Sequence, residues 1–287
     1  MVIPETKSSK TRQIRNIVVF IMFALFSGWI GIFIDRLLPE QTEEESLGMA
    51  VWLVLPLIVV VILRSFAGDG WKDARLKPLF LKNMKWYAIS LFIFPVVTGI
   101  VLLIGKMLGW IDLSNLNPTV FIPLFFNLLI IQFIKNIFEE SVWRGYLTSK
   151  LLKFKMNDLS IYLVAGLVWS AWHLPYYLVF LPEQAISTVL PVGRMEFFLV
   201  ATFTMLAWTV VFTELFRLSF SIWPVVILHA VEDALINPLV IDNYIVIEAG
   251  KEILISPICG LITTLFYLII GLILRKIRLN QTANIHI

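Results

Sequence analysis

Eight long apolar stretches separated by short polar connections restrict this chain to one kind of fold. They run Ile17–Ile34, Leu47–Leu63, Trp86–Leu108, Thr119–Leu147, Leu159–Leu181, Met195–Phe216, Phe220–Ile236 and Ile253–Leu274. Each is close to or longer than the roughly 20 apolar residues that cross a bilayer as a helix. Hydrocarbon offers no partner to a peptide N–H or C=O, and a helix satisfies both within one segment. Composition agrees: 59% of residues are hydrophobic and 15% charged, against about half and a quarter in soluble domains. The expected fold is an all-α polytopic membrane protein of about eight transmembrane helices, one domain over residues 1–287, with no internal repeat. The apolar run after the basic segment Met1–Arg15 is too long for a signal-peptide core and reads as a retained first helix.

Basic residues set the orientation. They gather before the first stretch (Lys7, Lys10, Arg12, Arg15) and between the second and third (Arg64, Lys72, Arg75, Lys77, Lys82, Lys85). Further clusters are Lys150, Lys153 and Lys155 after the fourth, Arg217 after the sixth, and Arg275, Lys276 and Arg278 after the last. The intervening connections are poor in bases, and those around Glu40–Glu45 and Asp242–Glu252 are acidic. Both termini are therefore expected in the cytoplasm, which an even number of crossings permits. The segment from Gly68 to Lys85 suits either a short interfacial helix or a solvated loop. A net charge of +3, with its bases in connections, points to a membrane surface and not to nucleic acid. The only cysteine, Cys259, excludes an intrachain disulfide and a multi-thiolate metal site.

Several ionisable residues nevertheless fall inside the apolar stretches, at a cost of about 2.5–3.5 kcal/mol each on the mildest scale. On the fourth stretch Gln132, Lys135 or Asn136, and Glu139 form a polar stripe at helical spacing. Glu140 and Arg144, four apart, can pair, leaving Glu139 freer for chemistry. The fifth carries Trp169 one turn before His173, and the seventh carries His229, Glu232 and Asp233. At about 1.5 Å rise per residue, Glu139 and His229 lie roughly 15 Å, and His173 roughly 20 Å, from the cytoplasmic ends of their helices. The third histidine, His286, lies in the tail. A carboxylate beside a neutral histidine can activate one water molecule, and a second histidine with a polar partner can stabilise the resulting oxyanion. Those parts suffice for peptide-bond hydrolysis. Glu139, His173 and His229 could equally ligate zinc, and the residues alone leave the two mechanisms open.

The arrangement Glu139-Glu140-x-x-x-Arg144, then an aromatic four residues before His173, then His229-x-x-x-Asp233, resembles the CAAX-protease and bacteriocin-processing (CPBP) family. That intramembrane family includes CAAX prenyl endopeptidases and bacterial abortive-infection proteins. The resemblance covers about residues 119–236 and implies an eight-helix endopeptidase acting near the cytoplasmic membrane face. It implies that Glu139 and His173 activate water, that His229 and Asp233 form the oxyanion hole, and that Glu140 and Arg144 support the site. Two positions depart from the usual pattern: Trp169 replaces a phenylalanine, and Asp233 stands where asparagine is common. An ionised Asp233 would repel an oxyanion, so it is expected to be protonated, to orient His229, or to favour a metal. The preferred expectation is a metal-free reaction with no cofactor, and zinc is the alternative. The expected partners are the lipid bilayer and a peptide or membrane-protein substrate, lipidated in one branch of the family, with no nucleic acid. The expected location is the plasma membrane of a prokaryote. A proton-coupled transporter or an immunity scaffold using the same charges is the reading from another class.

Overall fold

The computed structural model describes residues 7–38, 46–154 and 156–283, in which helix is the dominant regular structure. The helices are α1 (Lys7–Leu37), α2 (Leu47–Ser65), α3 (Phe80–Met107), α4 (Pro118–Val142), α5 (Ser149–Lys153) and α6 (Asp158–Pro175). They are followed by α7 (Glu183–Val189), α8 (Arg194–Ser219), α9 (Trp223–Ile241), α10 (Glu252–Ile255) and α11 (Leu261–Ala283). A π-helical turn, Trp143–Thr148, joins α4 to α5, and another, Tyr176–Phe180, extends α6. Two short strands, β1 (Ile111–Asp112) and β2 (Val246–Ile247), pair antiparallel. Neither strand was foreseen. The acidic connection around Glu40–Glu45, together with Lys155 and His286, lies outside the described residues.

Seven helical segments among the described residues are long and apolar enough to cross a membrane, so the chain is an all-α polytopic membrane protein. The helix α11 also traverses the bundle, parallel to α8. Its Thr264 hydroxyl meets Thr204 at 2.8 Å, and near its other end Arg278 binds Glu214. Arg275, Lys276 and Arg278 make its later turns basic. The last apolar stretch, expected from Ile253, starts later in the structure. Pro257 has no N–H with which to continue a helix, so α10 stops at Ile255 and α11 begins at Leu261.

The connections separate by charge as the orientation argument requires. At one end Asn16 donates to the Ala67 carbonyl, and the Ser149 hydroxyl donates to that of Asp73. Ser221 reaches Lys77, while Arg217, Arg275 and Arg278 converge on Asp158 at 2.7 Å each. At the opposite end β1 meets β2, and Asn115 donates to Asn243. Among the described residues, the first end holds the base-rich connections and the second the base-poor ones.

Residues 66–79 form an irregular segment at the base-rich end. The interfacial helix considered for Gly68–Lys85 is not formed, and Phe80 begins α3 directly. Gly68, Gly70, Arg75 and Leu79 all have positive φ, which no right-handed helix accommodates. Asp73 anchors the segment, receiving Arg64 at 2.6 Å, Lys153 at 2.9 Å and Lys150 at 3.0 Å. Burial alone would raise the Asp73 pKa, but Arg64, with the two lysines, holds it well below the usual carboxylate range.

Lipid removes most of the hydrophobic drive between helices, so close packing must supply the association. Gly31 on α1 and Gly48 on α2 let two backbones touch, and a Cβ at Gly31 would lie 2.2 Å from the Gly48 carbonyl oxygen. Only 11% of the apolar stretch of α4 is buried in protein, against 78% of α9, so α9 is central and α4 peripheral.

Candidate active site

The polar stripe on α4 faces inward. Gln132, Lys135 and Glu139 line one cavity of about 500 Å³, which also receives Trp169 and His173 from α6 and His229, Glu232 and Asp233 from α9. The three residues on which the sequence argument rested thus share a single chamber. Glu140 and Arg144, also expected at the site, lie behind its wall, 0% and 2% exposed.

Glu139 is buried at 5% exposure. Its Oε1 lies 3.4 Å from Lys135 Nζ, and among the described residues its Oε2 has no hydrogen-bond partner. His173 Nδ1 lies 2.8 Å from the Trp169 carbonyl oxygen. A carbonyl can only accept, so Nδ1 carries the proton, and in the neutral ring Nε2 keeps a free lone pair. Trp169 packs edge-on to both rings, with centroids 5.8 Å from His173 and 5.6 Å from His229. The larger indole at this position therefore serves as packing.

His229 is held through α4. Its Nδ1 lies 2.8 Å from Glu140 Oε1, and the same oxygen accepts from Arg144 Nη1 at 2.7 Å. The Arg144 guanidinium is sandwiched by Trp169 and Phe212, 4.3 Å from each ring centroid. Such stacking partly replaces the hydration that the cation loses on burial. Arg144 occupies the π-helical turn that follows α4. Turns of this type insert one residue and re-aim the side chains after it, and they recur at functional sites.

Asp233 is held by residues of α4 and by its own helix. Its Oδ2 accepts from Asn136 Nδ2 at 2.7 Å and pairs with Lys135 Nζ at 2.9 Å, while Oδ1 accepts from Asn237 at 3.3 Å. The distance from Asp233 Oδ2 to His229 Nε2 is 3.9 Å, outside hydrogen-bond range. Glu140, and not Asp233, orients His229. Asp233 holds Lys135, whose ammonium bridges α4 and α9 and contacts Glu139. In the sequence Lys135 is one member of a polar stripe. Its helical position was readable, whereas its partner across the bundle was not.

For metal binding, one set among the described residues brings ligand atoms within 4.8 Å of one another: His229, Glu232 and Asp233. It shares only His229 with the expected ligand set of Glu139, His173 and His229.

Residues 121–235 match the family model described as type II CAAX prenyl endopeptidase Rce1-like. The matched region runs from the start of α4 into α9 and contains every cavity-lining ionisable residue named above. No curated protein matches the chain.

Proposed function

Because the chain carries a CAAX-protease family domain over residues 121–235, we propose that it is an intramembrane endopeptidase in which Glu139 activates water without a metal. The family is one of peptidases, and a peptide in a membrane is the substrate that it implies. The observation carrying this reading is the unpartnered Glu139 Oε2 in the cavity shared with His173.

Water held between Glu139 Oε2 and His173 Nε2 loses a proton to Glu139 as its oxygen attacks the scissile carbonyl carbon. Negative charge develops on the carbonyl oxygen. Lys135, whose Nζ lies 3.4 Å from Glu139 Oε1, is the nearest fixed cation to receive it. His229 presents its Nε2 edge to the same space, and Asp233 positions Lys135 and does not itself donate. Collapse of the tetrahedral intermediate breaks the C–N bond, and the proton taken by Glu139 passes to the leaving nitrogen. A carboxylate and an amine remain, and the enzyme is restored.

The donor set does not favour zinc. A divalent cation would draw Glu139 and Asp233 together with the histidines, but Lys135 already bridges these two carboxylates, at 3.4 and 2.9 Å. An ammonium in that place repels a second cation, which supports the metal-free reaction.

The test is cleavage of a membrane-peptide reporter by the purified full chain. Glu139→Gln keeps the shape of the side chain and removes the base, so turnover should fall by about 10²–10⁴ while the melting temperature holds. Full activity in that variant would end the assignment of Glu139. Activity that disappears with chelator and returns with zinc would replace the metal-free reaction with a metal-dependent one.

A further inference from the structure

The cavity has a direction. Its lining residues on α2 come from the first two turns, Met49, Trp52 and Leu53, at the base-poor end. On α9 the lining runs from His229 to Ile241 and reaches the surface at Asp242, which is exposed. Ile258 and Cys259, in the base-poor connection before α11, complete that wall. No lining residue belongs to a base-rich connection.

The base-rich side is closed by packed charge. Arg144 fills the space between Trp169 and Phe212. Beyond it Arg64 and Lys150, 2% and 1% exposed, bind Asp73 and residues 69–70 beneath the 66–79 segment. Glu139 and His229 thus lie toward the base-rich end of their helices, at the blind end of a chamber that opens the other way.

We infer that substrate reaches Glu139 from the base-poor face, which the distribution of basic residues assigns to the extracytoplasmic side. The inference rests on the peptidase reading for what enters, and on the cavity and the charge asymmetry for the route. Most of the lining is aliphatic or aromatic, with Lys135, Glu139 and the α9 acids at the closed end. About 500 Å³ accommodates a short extended stretch of chain and no folded domain. On the α4 side, Leu128 and Gln132 line the chamber from a helix whose apolar stretch is only 11% buried in protein. The substrate class is an apolar segment of a membrane-embedded polypeptide presented from the extracytoplasmic half of the bilayer. A lipidated C-terminus arriving from the cytosol does not fit this route.

Cysteine accessibility in the full chain tests the route without turnover. Native Cys259 is buried, and burial pushes its thiol up to about 12; a Cys259→Ser background removes it altogether. Gln132→Cys deep in the chamber and Ile241→Cys near its mouth are compared with Lys153→Cys at the base-rich end. A membrane-impermeant maleimide applied outside intact cells should label the first two and leave Lys153→Cys unlabelled. In inside-out vesicles the pattern should reverse. Gln132→Cys labelled only in inside-out vesicles, or from neither face, overturns the route. Reporter cleavage by the protein with its native Cys259 is measured in parallel. Absence of cleavage alongside outside labelling counts against the peptidase and leaves the route standing. A cytosolic lipidated peptide cleaved faster than an outward-facing apolar segment overturns the substrate class.

Discussion

Lys135 Nζ lies 2.9 Å from Asp233 Oδ2, so one ion pair ties the outermost catalytic helix, α4, to the central one, α9, beside the proposed base. The pair accounts for an aspartate where an amide donor is usual. In the proposed reaction the lysine is the donor and the carboxylate is its anchor.

Lys135→Met should lower kcat by about 10²–10³, with KM nearly unchanged, because the charge is needed only in the transition state. Asp233→Asn should cost less, since it loosens the ammonium without deleting it. The double variant should be no worse than Lys135→Met alone. Unchanged kcat in Lys135→Met would assign the oxyanion to other groups.

Glu140 Oε1 serves both Arg144 and His229, which makes the buried charge pair a positioning device. Arg144→Met should destabilise the protein by about 3–5 kcal/mol, because it strands a buried carboxylate. Adding Glu140→Leu should recover part of the melting temperature and none of the activity, since His229 Nδ1 then lacks its acceptor. Thermal melts in detergent and reporter turnover separate the two effects.

Trp169 touches His173, His229 and Arg144 at once. Trp169→Phe should preserve the edge-on contacts and most of the activity. Trp169→Ala should cost about 3–5 kcal/mol of stability through the cavity that it opens. Comparable melting temperatures for the two variants would mean that ring packing at this position is dispensable.

The clasp at Asp73 predicts acid sensitivity of the 66–79 segment. A carboxylate depressed by its partners contributes stability that is fully present above its ordinary pKa of 3.8 and is lost as pH falls from there toward the folded value. Limited proteolysis within 66–79 should accelerate below pH 3.8 and stay constant above pH 5. Asp73→Asn should show fast cleavage at both.

Much of the architecture was legible because lipid imposes one rule on every segment. Apolar length marks a helix, and basic residues mark one end of the bundle. The inaccuracies fell where that rule is silent. Whether residues 66–79 form a helix depends on Gly68, Gly70, Arg75 and Leu79 adopting positive φ. The late start of α11 depends on how Pro257 breaks the chain. The two short strands pair residues far apart in sequence.

The sequence by itself determined that this protein spans a membrane, which end carries the charge, and which ionisable residues must turn away from lipid. Helical spacing and solvation energy are local properties, so they can be read one segment at a time. Only the tertiary structure decided that Asp233 holds Lys135, that Glu140 holds His229, and that the chamber opens at the base-poor end. Those relationships join α4 to α9 or span several helices. Each depends on how the helices rotate and settle against one another, which no single segment encodes.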